Sequence, residues 1–121
     1  MKFMISWQFR PGKLHEGLAT FSQMTPEQDA ADQGKGITLI GRWHDLGRGR
    51  GVAICESSSA EAIAAWALNW NGIMDCDIAI VLDDAETRAL GKKRAKKASP
   101  PPNNKGCIAA KRSGASNYSI G

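Results

Sequence analysis

Ile37-Thr38-Leu39-Ile40-Gly41-Arg42-Trp43-His44-Asp45-Leu46-Gly47-Arg48-Gly49-Arg50-Gly51-Val52-Ala53-Ile54-Cys55-Glu56-Ser57 is the stretch on which the fold turns. It reads as two strands joined by a Gly/Arg-rich turn, because the glycines supply the positive φ angles a hairpin needs. Strict alternation over Gly36–Leu46 puts Ile37, Leu39, Gly41 and Trp43 on one face. Thr38, Ile40, Arg42 and His44 fall on the other. Over 51–56, Val52 and Ile54 oppose Ala53 and Cys55. Nowhere else in the chain do an arginine, a tryptophan and a histidine stand side by side as Arg42, Trp43 and His44 do.

Outward from the hairpin, residues 2–9 alternate with Phe3, Ile5, Trp7 and Phe9 on one face, a strand ended by Arg10-Pro11-Gly12. Leu14, Leu18 and Phe21 then fall at i, i+4, i+7, one helical stripe from Lys13 to about Met24. Thr25-Pro26-Glu27-Gln28 opens a second helix, with Thr as cap, Pro at the first position and Gln three residues on. This second helix is short and polar and ends near Gly34, so it is expected on the surface. Past the hairpin, Ser58-Ser59-Ala60-Glu61 reads as a capping box before an Ala-rich helix to about Asn71. Its core stripe is Ile63, Trp66, Ala67 and Trp70. A fourth strand follows over 75–82, with Cys76, Ile78, Ile80 and Leu82 opposite Ala79 and Val81. Asp83-Asp84-Ala85-Glu86 opens a last short helix, acids favouring its start.

The order β-α-β-β-α-β, with a polar insert after the first helix, predicts an α+β ferredoxin-like fold: a four-stranded antiparallel sheet with two helices on one face. Two helices cover one face only, yet Met4, Ile40, Ala53, Cys55, Ala79 and Val81 make the other apolar. A homodimer packed sheet against sheet is the expected remedy.

Length and composition agree with one domain plus an appendage. The chain has 121 residues, 42% hydrophobic and 23% charged, enough for a core. No apolar run approaches a membrane span. The first residues turn polar too soon for a signal peptide, so the cytoplasm is the expected compartment. The cysteines, Cys55, Cys76 and Cys107, form no Cys-x-x-Cys pair, and no metal site is expected. Charge divides the chain: residues 1–90 carry 8 Lys/Arg against 12 Asp/Glu, and residues 91–121 carry 8 Lys/Arg and no acid. The second stretch, with its basic run from Lys92 to Lys97 and its three consecutive prolines, is expected to be a disordered basic tail. It offers weak, salt-sensitive contacts to nucleic acid or an acidic partner, without the interleaved aromatics that stack on bases.

The chain resembles an uncharacterised bacterial family of short α+β proteins related to the dimeric α/β-barrel, ferredoxin-like superfamily. Met1-Lys2-Phe3-Met4 with Trp7, Gly41-Arg42-Trp43-His44, the turn into Gly51, Cys55-Glu56-Ser57, Ala65-Trp66 with Asn69-Trp70-Asn71, and Val81-Leu82-Asp83-Asp84 carry the resemblance over 1–90. The Pro26–Lys35 insert and the tail lie outside it. The resemblance implies a fold and a dimer and brings no catalytic residues. Some members of the wider superfamily are cofactor-independent monooxygenases, and others bind haem or small hydrophobic molecules between sheet and helices; fold alone does not transfer such functions.

Candidate chemistry centres on His44, which titrates near neutrality, and Arg42, which could hold an anion. The plainer reading places both at the dimer interface, bonded to partner carbonyls or Asp45. Trp7, Trp43, Trp66 and Trp70, with the Asn71 amide, could line an apolar cavity between sheet and helices that binds or transforms a small apolar or anionic molecule. The plainer reading is a packed aromatic core. A non-catalytic dimerisation module is the alternative function. No cofactor, substrate or reaction is named by these residues.

Overall fold

Four strands build the frame of the computed structural model, which describes residues 1–97. They are β1 (Lys2–Phe9), β2 (Thr38–Asp45), β3 (Arg50–Glu56) and β4 (Met74–Val81). The helices are α1 (Leu14–Ser22), α2 (Pro26–Gln33), α3 (Ala60–Trp70) and α4 (Asp84–Lys97). The sheet runs β2-β3-β1-β4, antiparallel throughout. This is the ferredoxin-like arrangement expected from the element order, and the insert is a full helix, α2.

β1 is central and its pairing is unbroken on both sides. Phe3 and Ile5 stand opposite Cys55 and Ala53 on β3, and opposite Ile80 and Ile78 on β4. Directly opposed residues share a face. Phe3, Ile5, Ala53 and Cys55 are therefore one buried patch, onto which α3 presses Ile63 and Trp66. Full burial of Ile63 contributes about 1.5–3 kcal/mol. The small residues of β3, expected on the outer face, thus point inward. Alanine and cysteine are what the large Phe3 and Ile5 leave room for under the α3 stripe. Val52 and Ile54 take the outer face.

β2 departs further from simple alternation. Leu39 pairs with Cys55, but Gly41 pairs with Ile54, so the register slips by one residue at Ile40. Such a bulge sets two residues against one and reverses the faces beyond it. Arg42 and His44 consequently lie opposite Ala53 and Gly51 on the helix-covered face. Trp43 lies with Val52 on the outer face, 60% exposed, its ring over Gly41 where any side chain would collide with it. The expected placement of Trp43 inside and of Arg42 and His44 outside is reversed.

The helix starts follow local chemistry. Thr25 and Gln28 form the expected reciprocal capping box at α2. At α3 the cap is Ser59, one residue later than expected, accepting from Ala62 N–H. Ala62 has no carboxylate to return the bond, so the expected box does not close there. The buried Ser57 hydroxyl braces the cap by bonding Ser59 N–H and C=O.

Met1–Leu82 forms one compact unit and a second begins at Asp83. In the second, Asp83 and Glu86 exchange bonds across the start of α4. The acids of its first turn and Arg94, Lys96 and Lys97 of its last suit the helix dipole. Residues 91–97, expected to open an unstructured tail, continue this helix. The remainder of that expectation, residues 98–121, lies outside the described residues. No helix among the described residues is long and apolar enough to cross a membrane.

Candidate functional site

Between the inner face of the sheet and helices α1, α2 and α3 lies a cavity of about 80 Å³. Its floor comes from the strands, chiefly Ile5, Trp7, Ala53 and Cys76, and its roof from Leu14, Phe21, Trp66, Ala67 and Trp70. Two glycines make the room. Gly51 on β3 has no side chain, and the Trp7 indole occupies the space a Cβ substituent would need. Gly17 on α1 does the same for the Phe9 ring, drawing α1 down onto the sheet.

Across Gly51 the Trp7 ring meets the His44 imidazole edge-on, centroids 5.6 Å apart at 65°. Phe21 of α1 lies against the other side of His44, with centroids 5.1 Å apart. Arg42, two residues before His44 on the same face, sets its guanidinium 4.8 Å from the Phe21 ring centre. The His44 pKa is lowered from 6.5, first by burial and then by the Arg42 charge. His44 is therefore predominantly neutral at pH 7, with one nitrogen to donate and one to accept.

The polar wall is completed by α2. Asp29 takes a bidentate pair from Arg42, at 3.2 Å and 2.7 Å, with the two side chains only 23% and 16% exposed. Those bonds hold the Asp29 carboxyl below its ordinary 3.8, against the opposite pull of burial. One turn on, Asp32 Oδ2 accepts from the indole N–H of Trp66 (3.1 Å) and of Trp70 (2.7 Å). Its Oδ1 accepts from the Asn69 amide at 3.1 Å.

Of the residues expected at a site, the fold brings together Trp7, Trp66 and Trp70 with Arg42 and His44. Trp43 stands on the other face of the sheet. Asn71 is the exposed C-cap of α3, its backbone N–H bonded to Ala67 C=O, and Asn69 supplies the amide instead. Asp45 does not serve Arg42 or His44; it pairs with Arg50 across the hairpin turn at 2.8 Å. Sequence reasoning missed Asp29 and Asp32. Their signal was present: a capping box fixes the phase of α2, and i, i+3 spacing puts both carboxylates on one side of it. Cys76 borders the cavity, and its thiol pKa is raised by burial and by Asp75 and Asp77, which leaves it a poor nucleophile. Among the described residues no group of three or more His, Cys, Asp or Glu could hold a metal ion.

Residues 1–95 match the family model described as "Domain of unknown function (DUF3303)". The chain belongs to this family. The matched stretch runs through Pro26–Lys35, so α2 is part of the DUF3303 domain and not an addition to it, as the sequence resemblance had it. No curated protein matches the chain. Among solved structures, the domain is similar to a NIPSNAP family protein from Agrobacterium tumefaciens str. C58, at 16% identity and a TM-score of 0.41, over 69% of this chain and 96% of that one.

Proposed function

We propose that the domain binds a small, largely apolar molecule in the cavity between the sheet and α1–α3. The observation that carries this reading is the cavity itself. Protein interiors pack as densely as organic crystals, whereas here three tryptophans and two phenylalanines line about 80 Å³ of space. That is room for roughly five or more water-sized occupants, about one small ring. The polar groups gather on one wall, where His44 offers one donor and one acceptor to orient a ligand. Arg42 does not act as an anion receptor, because Asp29 already matches its charge on both guanidinium nitrogens.

The test is a thermal-shift titration with benzyl alcohol on the full chain and on Ala67→Phe, which plugs the cavity from α3. A specific ligand at 100 times its Kd stabilises the native protein by about 2.7 kcal/mol. The expected result is a rise in Tm for the parent and none for the folded Ala67→Phe protein. Equal shifts in both sink the reading.

A second observation supports assembly. The outer face of the sheet is apolar at Met4, Val52, Ile54 and Val81 as well as at the exposed Trp43. The domain is proposed to form a two-fold homodimer through this face.

A further inference from the structure

Asp29 and Asp32 both border the cavity, but only Asp29 has a cation. Among the described residues Asp32 makes no ion pair. Its three side-chain donors are the neutral Nε1–H groups of Trp66 and Trp70 and the Asn69 amide. With Asp29 matched by Arg42 and His44 predominantly uncharged, the wall keeps one unbalanced negative charge. The two indoles that bond Asp32 also line the cavity. A carboxylate framed by tryptophans is suited to an organic cation: the carboxylate supplies the counter-charge, and the indoles supply apolar surface for the body of the ligand. Oδ2 already accepts twice, while Oδ1 accepts one side-chain bond and retains capacity for another.

We propose that the cavity selects a small organic ammonium ion, its charged group against Asp32 and its apolar body against Trp66, Trp70 and Trp7. This rests on the ligand-binding reading above and adds the charge of the ligand to it. An anion of the same shape is rejected, since it would meet the Asp32 charge in a partly desolvated site.

Three probes of one shape separate the possibilities: benzylamine, benzyl alcohol and benzoate. Each is titrated calorimetrically into the full-length protein at neutral pH. The expected order is benzylamine at least ten-fold tighter than benzyl alcohol, with benzoate unbound. In Asp32→Asn the ratio of amine to alcohol affinity falls to near one. A purely structural Asp32, serving only to tie α2 to α3, would weaken both probes and leave their ratio alone. If Asp32→Asn does not fold, raising the pH of the parent above the pKa of benzylamine gives the same readout, because the neutral amine loses its advantage. Amine and alcohol binding equally well overturns the charge assignment and leaves the cavity reading standing. A preference that survives Asp32→Asn or deprotonation of the amine also overturns the assignment. No binding by any probe at millimolar concentration overturns both.

Discussion

His44 is held between two aromatic rings only because Gly51, directly opposite it on β3, has no side chain. A methyl group there would push the Trp7 indole off the strand and remove one wall of the imidazole. The held state leaves a mark on stability. Burial and Arg42 lower the pKa of His44 in the folded protein below its ordinary 6.5, so the unfolded chain takes up this proton first as pH falls. The contribution is fully present above about pH 6.5 and is lost as pH drops through the folded value. His44→Gln removes that dependence. Urea unfolding of both proteins between pH 7.5 and 4.5 should show the parent losing stability relative to the variant on acidification. Parallel curves would show that His44 titrates freely. His44 was legible as a candidate from its sequence neighbours, but its environment was not. The residues that set it, Gly51, Phe21 and Trp7, come from three other elements, and a period along one strand carries no information about them.

At the scale of elements, the frame was legible where pairing is regular and illegible where it is not. β1 alternates cleanly because it is central and registered without interruption on both sides. The same alternation misassigned β2, because a bulge adds one residue without altering local composition. The caps of α2 were legible, while its role was not. A helix with no buried residue has no apolar stripe to announce what it covers, and it is tied down by two carboxylates instead. Ile40 is the extra residue of the β2 bulge. Because Gly41 already stands opposite Ile54 and Arg42 opposite Ala53, deleting Ile40 closes the bulge and leaves Trp43 outside and Arg42 and His44 inside. What the deletion leaves intact, Asp29→Ala breaks, stranding the Arg42 guanidinium. Asp29→Ala is expected to cost about 3 kcal/mol or more, the scale for stranding half of a partly buried ion pair. It should also release α2 to proteolysis within 25–36. Ile40→Ala keeps the bulge and removes a side chain that is 53% exposed, for a cost of under about 1 kcal/mol. Thermal melting and limited digestion of Asp29→Ala and Ile40→Ala check this; equal behaviour would show that the Asp29–Arg42 pair does not hold α2 in place.

For the unit Met1–Leu82, α1–α3 lie over the inner face of the sheet and leave only the β4 side of it, at Ile78 and Ile80, exposed, whereas none of these three helices covers the outer face. An antiparallel sheet tolerates water on one face when that face is polar. This one bears Met4, Val52, Ile54, Val81 and a 60% exposed Trp43, and contiguous apolar surface of that kind marks an interaction face. The bulge at Ile40 adds to it by turning Trp43 outward, so the same irregularity that delivers Arg42 and His44 to the cavity supplies the outer face with its largest apolar side chain. A two-fold axis through the face would set it against itself and bury Trp43 twice. Sedimentation velocity at micromolar concentration is expected to show a dimer. The double change Trp43→Glu with Ile54→Lys should give a monomer, because buried charges at a self-complementary interface are opposed by desolvation. Both substitutions point away from the cavity, so the monomer should retain the affinity of the parent for benzyl alcohol. A parent that sediments as a monomer at 10-fold higher concentration, roughly the upper micromolar range in which weak interfaces still assemble, would show that the outer face is covered by something other than a second copy.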